Sequence, residues 1–430
     1  MTAPAPEPRA APRIACVRIP RFAVAAAWRA ARRGMATPFD EPARRPAGPG
    51  RFTPPPADAS WDALPIAVAD GPRVHSVSRA AAQARVRPGM TVADARAVCS
   101  RLVVLEQERA ALDGEAVGVA AALLAAAPRV AAGGRADGTW WALIAAEDGA
   151  GEREAAAELA LAARRWHPRP CVAVADSCVA ARVATWATEE GDCADSSAGR
   201  AVRVVPPGGC ARYLAAAPLA LVVEDATLSG ALERAGVRTA GELGLLPASE
   251  VRRRWGDQAL AAWTLAHGRD PGAPFPYPVP RLSAGAELGA AASEEGARYL
   301  LRAAADRVAS LLAREGRAAA AVGVTLALEP ADPGGRRRTV THQLRPARPL
   351  ADADAIFREC GRSLARWTGG LPVRGLELAV VATAAAAAPA RPLDPALAEA
   401  MTWLRRELGR DVRLRLPDES PDRPPPPLDA

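Results

Sequence analysis

Between residues 109 and 225 the chain alternates two hydrophobic periods, and that alternation constrains the fold more than any other feature. Helical stretches at 110–126, 152–166 and 177–188 are interleaved with short apolar runs, WWALI at 140–144 and CVAVAD at 171–176. Apolar runs of this length between longer helices read as buried strands, so the segment points to an α/β or α+β sheet covered by helices. A similar strand-to-helix unit, IACVRIPRFAVAAAW at 14–28, stands near the N-terminus. It places Arg18, Pro20 and Arg21 where its strand ends, an odd position for two guanidinium groups. Only 4% of the residues are aromatic, so the core is expected to be built from Ala, Leu and Val.

A mobile loop is expected at 29–61, which is rich in Pro, Gly and Arg and has no apolar period. After it come a strand at 65–70, a turn at Gly71-Pro72 and a helical stretch that breaks at Arg87-Pro88-Gly89. Thr91 then caps a second helix with Asp94 in its first turn, and RLVVLE at 101–106 forms another strand. Residues 226–270 change to short helices. In LERAGVRTAGELGLLP, Gly236 ends one helix and Thr239-x-x-Glu242 forms a capping box for the next. A helix-hairpin-helix of this kind presents successive backbone N–H groups to phosphate oxygens, which makes Gly236, Val237, Arg238 and Thr239 candidate DNA contacts. Gly256 and Gly268 end two further helices, and the proline-rich DPGAPFPYPVP at 270–280 reads as a semi-rigid tether.

Beyond the tether the order is helix (293–315), hairpin (319–329 and 337–345), helix (353–367) and strand (373–383), a second small α+β domain. Arg336, Arg337 and Arg338 flank the hairpin turn as candidate phosphate contacts or a solvated charge run. A last helix at 396–408 leads into a polar, proline-rich tail. Lysine is absent and the net charge is +7, which points toward a polyanionic partner. Seven scattered cysteines and four histidines lack zinc-site spacing, so no metal is expected and the thiols read as reduced and cytoplasmic. The longest apolar run, 378–390, is too short to span a bilayer, so no membrane is expected as a partner.

Three phrases in this order resemble the Y-family translesion DNA polymerases: VHSVSRAAAQARVRPGMTVADARAVCSRLVVLE (74–106), PCVAVADSCVAARVATWA (170–187) and LERAGVRTAGELGLLP. The resemblance implies an α+β multi-domain fold of the right-hand type. It would have an α/β palm at 12–28 and 101–225, fingers at 62–100 and a helix-hairpin-helix thumb at 226–270. A linker at 271–285, a little finger at 286–388 and a C-terminal helix and disordered tail at 389–430 would follow. In that family carboxylates hold two metal ions about 4 Å apart for phosphoryl transfer. Here Arg18 stands at the first aspartate, Asp137 matches the second, and Gly138 replaces the glutamate. Arg79 and Ala82 replace a tyrosine and an arginine of the fingers, and Ser177-Cys178 an Asn-Lys pair. With Asp137 vestigial and Arg18 and Gly138 lost positions, no catalytic set is intact. VRIPRFA, VHSVSRAAA and VRPGMTVADARAVCSRLVVL resemble the catalytically inactive ImuB-type mutasome components.

That resemblance implies no enzyme and no cofactor. It implies an adaptor for error-prone, damage-induced translesion synthesis, associated with the nucleoid. Its partners would be primer-template DNA, an error-prone C-family DNA polymerase and a RecA-like accessory protein. Ala390-Arg391-Pro392-Leu393-Asp394-Pro395 lacks the glutamine and aromatic anchor of a sliding-clamp peptide, which puts clamp binding there in doubt. Two alternatives stand beside this reading. One is an active polymerase using Mg2+ with substitute ligands among Asp70, Asp137, Glu147 and Asp148. The other is a protein-interaction scaffold that no longer touches DNA.

Overall fold

The N-terminal apolar run forms β1 (Arg13–Arg18), buried along its whole length inside a nine-stranded sheet. It lies between β6 (Thr139–Ile144) and β7 (Cys171–Ala175), antiparallel to both, with Arg18 opposite Thr139 on one side and Cys171 on the other. Alternate residues of β1 enter different cores. Ala15 and Val17 pack with α4 (Arg109–Leu124) and α5 (Gly149–Ala163), whereas Cys16 packs with α6 (Cys178–Glu190) and the helical segment beyond it. Burial on both faces explains why the strand reads as a continuous apolar run rather than an alternating one.

This computed structural model describes residues 13–35, 61–133, 138–145, 149–190, 201–223, 225–272, 274–275, 279–330 and 337–386. Its architecture is multi-domain α+β. α1 (Phe22–Met35) follows β1 directly, and a separate three-stranded sheet has the order β3-β2-β4, from β2 (Ile66–Asp70), β3 (Arg73–Val77) and β4 (Val103–Glu106). Two short helices, α2 (Arg79–Gln83) and α3 (Val92–Val98), cover that sheet, and Thr91 Oγ1 accepts from Asp94 N as its capping role required.

β3 corrects one expectation, because 73–77 had read as helix. Val74 and Val77 are both buried, and a separation of three is a helical spacing. The pairing with β2 skips a residue at His75, so this bulge turns both valines to the same side within a strand.

After β7 and α6 the chain adds β8 (Ala201–Val204), parallel to β7, and then α7 (Cys210–Leu214), α8 (Ala226–Arg234), α9 (Ala240–Gly244) and α10 (Ala248–Ala266). Gly256, at φ 83°, breaks α10 into two helices, as its position in the sequence implied. β9 (Ser283–Ala292) then pairs in parallel with β5 (Arg129–Ala132), so the last four strands extend the same sheet. α11 (Glu294–Arg314) is capped by Ser293, whose Oγ accepts from Gly296 N. The rest is β10 (Arg317–Leu328), β11 (Arg338–Leu344), α12 (Ala353–Thr368) and β12 (Val373–Ala385). Leu300 of α11 joins the first core, while Leu301 and Leu312 are fully buried with Val322, Val324 and Leu326 of β10. Each leucine of that kind is worth about 2–5 kcal/mol against alanine.

The junction of β5 and β9 carries a buried polar staple. Arg129 pairs with Glu377 of β12 and donates through Nη2 to Ser283 Oγ at 3.0 Å, while Ser283 Oγ donates to Pro280 O at 2.5 Å. Burial pulls the Arg129 guanidinium below its ordinary value, and the Glu377 charge opposes this.

Candidate nucleic-acid interface

Arg18 ends β1, and its guanidinium turns back into the protein. It is 2% exposed. Nε donates to Thr185 Oγ1 at 3.1 Å and Nη2 to Thr185 O at 3.0 Å, and Cζ lies 4.0 Å from the centre of the Trp186 ring. A buried guanidinium is tolerable only when its donors are met, and α6 meets them here.

Gly138 closes the other side. Its φ of +63° is left-handed, and a Cβ built on it would lie 2.6 Å from Ile19 O and 2.6 Å from Phe22 Cβ. The turn after β1 causes this closeness. Ile19 N donates to Gly138 O at 2.9 Å, and Phe22 packs edge-on against Trp140 with ring centres 4.9 Å apart. Arg21 holds a left-handed φ of 55° in that turn, its carbonyl accepting from Val24 N and Ala25 N. Trp140 is buried in the first core, and its strand neighbour Trp141 is half-buried on the opposite face.

A divalent cation needs converging carboxylates, and a paired guanidinium beside a glycine with no room for a side chain does not fit one. Among the described residues no group of three or more His, Cys, Asp or Glu side chains could hold a metal ion. Asp137, Glu147 and Asp148 lie outside the described residues. Asp70 ends β2 in the small sheet, so it does not share the sheet of Arg18 and Gly138.

Arg79 is held by Asp62, which accepts its backbone N–H at 2.8 Å. Buried Asp62 also faces Arg21 at 3.7 Å and His167 at 3.8 Å. Burial alone would raise its pKa, but the facing His167 ring, the hydrogen bond from Arg79 N and the nearby Arg21 charge hold it below the ordinary carboxylate value. Ser177 and Cys178 stand at the far end of β7 from Arg18, since Ala175 pairs with Ile14. Asp270, 92 residues away, accepts from Cys178 N, and from Val179 N at 3.1 Å. A carboxylate thus already fills the positive end of α6, and burial beside Asp270 pushes the Cys178 thiol up.

The hairpin at 236–239 differs from its expected chemistry in one respect. Gly236, at φ 89°, makes the turn, and Thr239 and Glu242 complete a capping box. The four backbone N–H groups are nevertheless used within the protein. Gly236 N donates to Glu233 O, Val237 N to Leu232 O, and Arg238 N and Thr239 N to Glu242 Oε2 at 2.6 and 3.1 Å. Those two bonds hold the Glu242 carboxyl below its ordinary value. Val237 is buried, so the exposed Arg238 side chain is the group of this hairpin that can reach a phosphate.

The C-terminal strands present a flat face. Val322, Val324, Leu326 and Leu328 of β10 point into their core, which leaves Gly323, Thr325 and Ala327 on the opposite side, paired with Gln343, Thr341 and Thr339 of β11. Those three β11 residues are exposed. Arg337 and Arg338 sit where β11 begins, both exposed, while Arg336 lies outside the described residues. Glu287 of β9 belongs to this surface. Partial burial raises its pKa, and the Arg337 and Arg374 charges oppose the rise. Glu287, Arg129 and Glu377 gave no local sequence signal, because their significance lies in strands that pair across more than eighty residues.

Residues 283–392 match the model of the impB/mucB/samB family C-terminal domain. That match begins at the first residue of β9 and takes in α11, α12 and all the strands of the flat face. No curated protein matches the chain. A solved structure of a Dbh ternary complex, with partially disordered substrates, aligns at 11% identity and a TM-score of 0.45, covering 85% of this chain and 98% of that one. Among the described residues no helix is long and apolar enough to cross a membrane.

Proposed function

We propose that the chain is a non-catalytic, DNA-binding adaptor of error-prone translesion synthesis. One observation carries the reading: where a polymerase of the resembled family gathers its metal-binding carboxylates, Arg18 is paired to Thr185 and stacked on Trp186, and Gly138 has no space for a Cβ. Loss of one ligand by drift would leave an open site. Here the turn at Ile19–Phe22 occupies the volume that a side chain at the glutamate position, Gly138, would need.

Three features support DNA as the partner: the flat threonine-lined sheet face edged by Arg337 and Arg338, the exposed Arg238, and the positive net charge of +7. Arginine at such positions neutralises phosphates without reading sequence. The match of residues 283–392 to a mutagenesis-family domain agrees with this role. In this reading the protein works at the nucleoid and brings an error-prone C-family polymerase and a RecA-like accessory protein to primed DNA, as the resemblance implies.

Primer extension with magnesium or manganese, run beside a salt titration of binding to primer-template DNA, tests the proposal. The expected result is no nucleotide incorporation, together with affinity that falls as salt rises. Incorporation abolished by Asp137→Ala would show an enzyme instead. Binding that ignores both salt and Arg238→Ala would leave only a protein scaffold.

A further inference from the structure

Trp186 is 37% exposed, whereas residues 179–185 of the same helix are buried or half-buried. Along α6 the buried residues Val179, Ala180, Val183 and Ala184 face the sheet, while Cys178, Arg182 and Trp186 follow one another at intervals of four and form the less buried stripe. That stripe meets the helical segment beyond β8 at Arg182. Arg182 Nη2 donates to Leu221 O in that segment at 2.7 Å, and Cys178 packs beside Phe275 and Ile14. Trp186 stands beside the end of β1, over the Arg18 guanidinium.

One face of its ring is covered by the Arg18 guanidinium, which is itself fixed by Thr185. A ring backed by an immobile cation loses little freedom when a second flat group stacks on it. Free nucleobases are flat, and base-on-indole stacking tolerates any sequence. We infer that Trp186, backed by Arg18, is a stacking platform for an unpaired nucleobase at a recessed DNA end. This inference rests on the DNA-binding reading and deepens it, because it turns the closed catalytic mouth into a sensor of unpaired bases.

The test compares a blunt duplex with a recessed-end DNA of equal duplex length, the first unpaired base being 2-aminopurine. Binding is followed by anisotropy and stacking by 2-aminopurine quenching. The wild-type protein should quench the probe and favour the recessed end. Trp186→Ala should weaken recessed-end binding about ten-fold and abolish quenching, leaving blunt-duplex affinity unchanged within about two-fold. Trp186→Phe, which keeps a smaller ring, should retain part of both signals and guards against a folding defect, checked by circular dichroism. If Trp186→Ala folds and matches wild type on both DNAs, the platform is wrong while the DNA-binding reading stands. If wild type binds neither DNA, both fall.

Discussion

Placing a side chain at Gly138 should destabilise the protein measurably, and the size follows from its surroundings. A non-glycine residue in the left-handed region costs about 1–2 kcal/mol. The new Cβ would also meet Ile19 O and Phe22 Cβ at 2.6 Å each, closer than atoms can stay, so the turn or the Phe22–Trp140 pair must move. Overpacking of that kind adds about 1–3 kcal/mol. Gly138→Ala should therefore lose roughly 2–5 kcal/mol, read from urea unfolding followed by tryptophan fluorescence and far-ultraviolet circular dichroism. Gly138→Glu should lose at least as much. Combining it with Arg18→Asp, which nominally rebuilds the carboxylate set, should yield no nucleotide incorporation with magnesium or manganese. A Gly138→Ala variant within about 0.5 kcal/mol of wild type would show that the turn yields easily, and the closed-mouth reasoning would fail. Incorporation by the double variant would refute it outright.

Arg13 offers a second perturbation. Its guanidinium bonds Glu152 at 2.7 and 3.0 Å, Asp176 at 2.5 Å and Val205 O at 2.6 Å, all near the start of β1. Arg13→Met strands the buried Glu152 carboxylate and should cost about 3–5 kcal/mol in urea unfolding, whereas a loss below 1 kcal/mol would mean the site readily hydrates. Arg238→Ala should lower the slope of log affinity against log salt by about one unit without changing sequence preference; an unchanged slope would remove Arg238 from the interface. Glu242 has a folded pKa below its ordinary 4.5, so its contribution is present above the unfolded value and is lost as pH falls through the folded one. Protection of the Arg238 and Thr239 amides, expressed relative to their intrinsic exchange at each pH, should consequently fall as the pH drops below the ordinary carboxylate value in wild type, and Glu242→Gln should remove that dependence.

Local chemistry was legible in the sequence wherever cause and effect lie within a few residues. Thr91 with Asp94, Thr239 with Glu242, Ser293 at α11 and the glycine breaks at 236 and 256 all behave as their spacing implied. β3 was not legible, because a bulge at His75 gives a strand the spacing of a helix. The site was legible only as a list of positions. Arg18 stood out by its charge, yet nothing near it names Thr185 and Trp186, 167 and 168 residues later, as the groups that receive it. Asp270 at the start of α6 and Asp62 beneath Arg79 were hidden for the same reason. The capping box shows the converse limit. Its two signature residues were evident and imply the loss of the Thr239 N–H, but nothing in their spacing says that Glu242 also takes the Arg238 N–H that a phosphate would have used.

The ladder between β5 and β9 bears on mechanics. Three residue pairs, Arg129 with Gly285, Val130 with Ala286 and Ala131 with Glu287, weld the first half of the chain to the last four strands, and Arg129 bolts the seam to Glu377. Swinging one half about the proline-rich stretch would require tearing that seam open. A load borne by α11 and α12 would thus be felt at β1 without slack, so the bearing of those helices toward β1 is set by the pleated backbone itself.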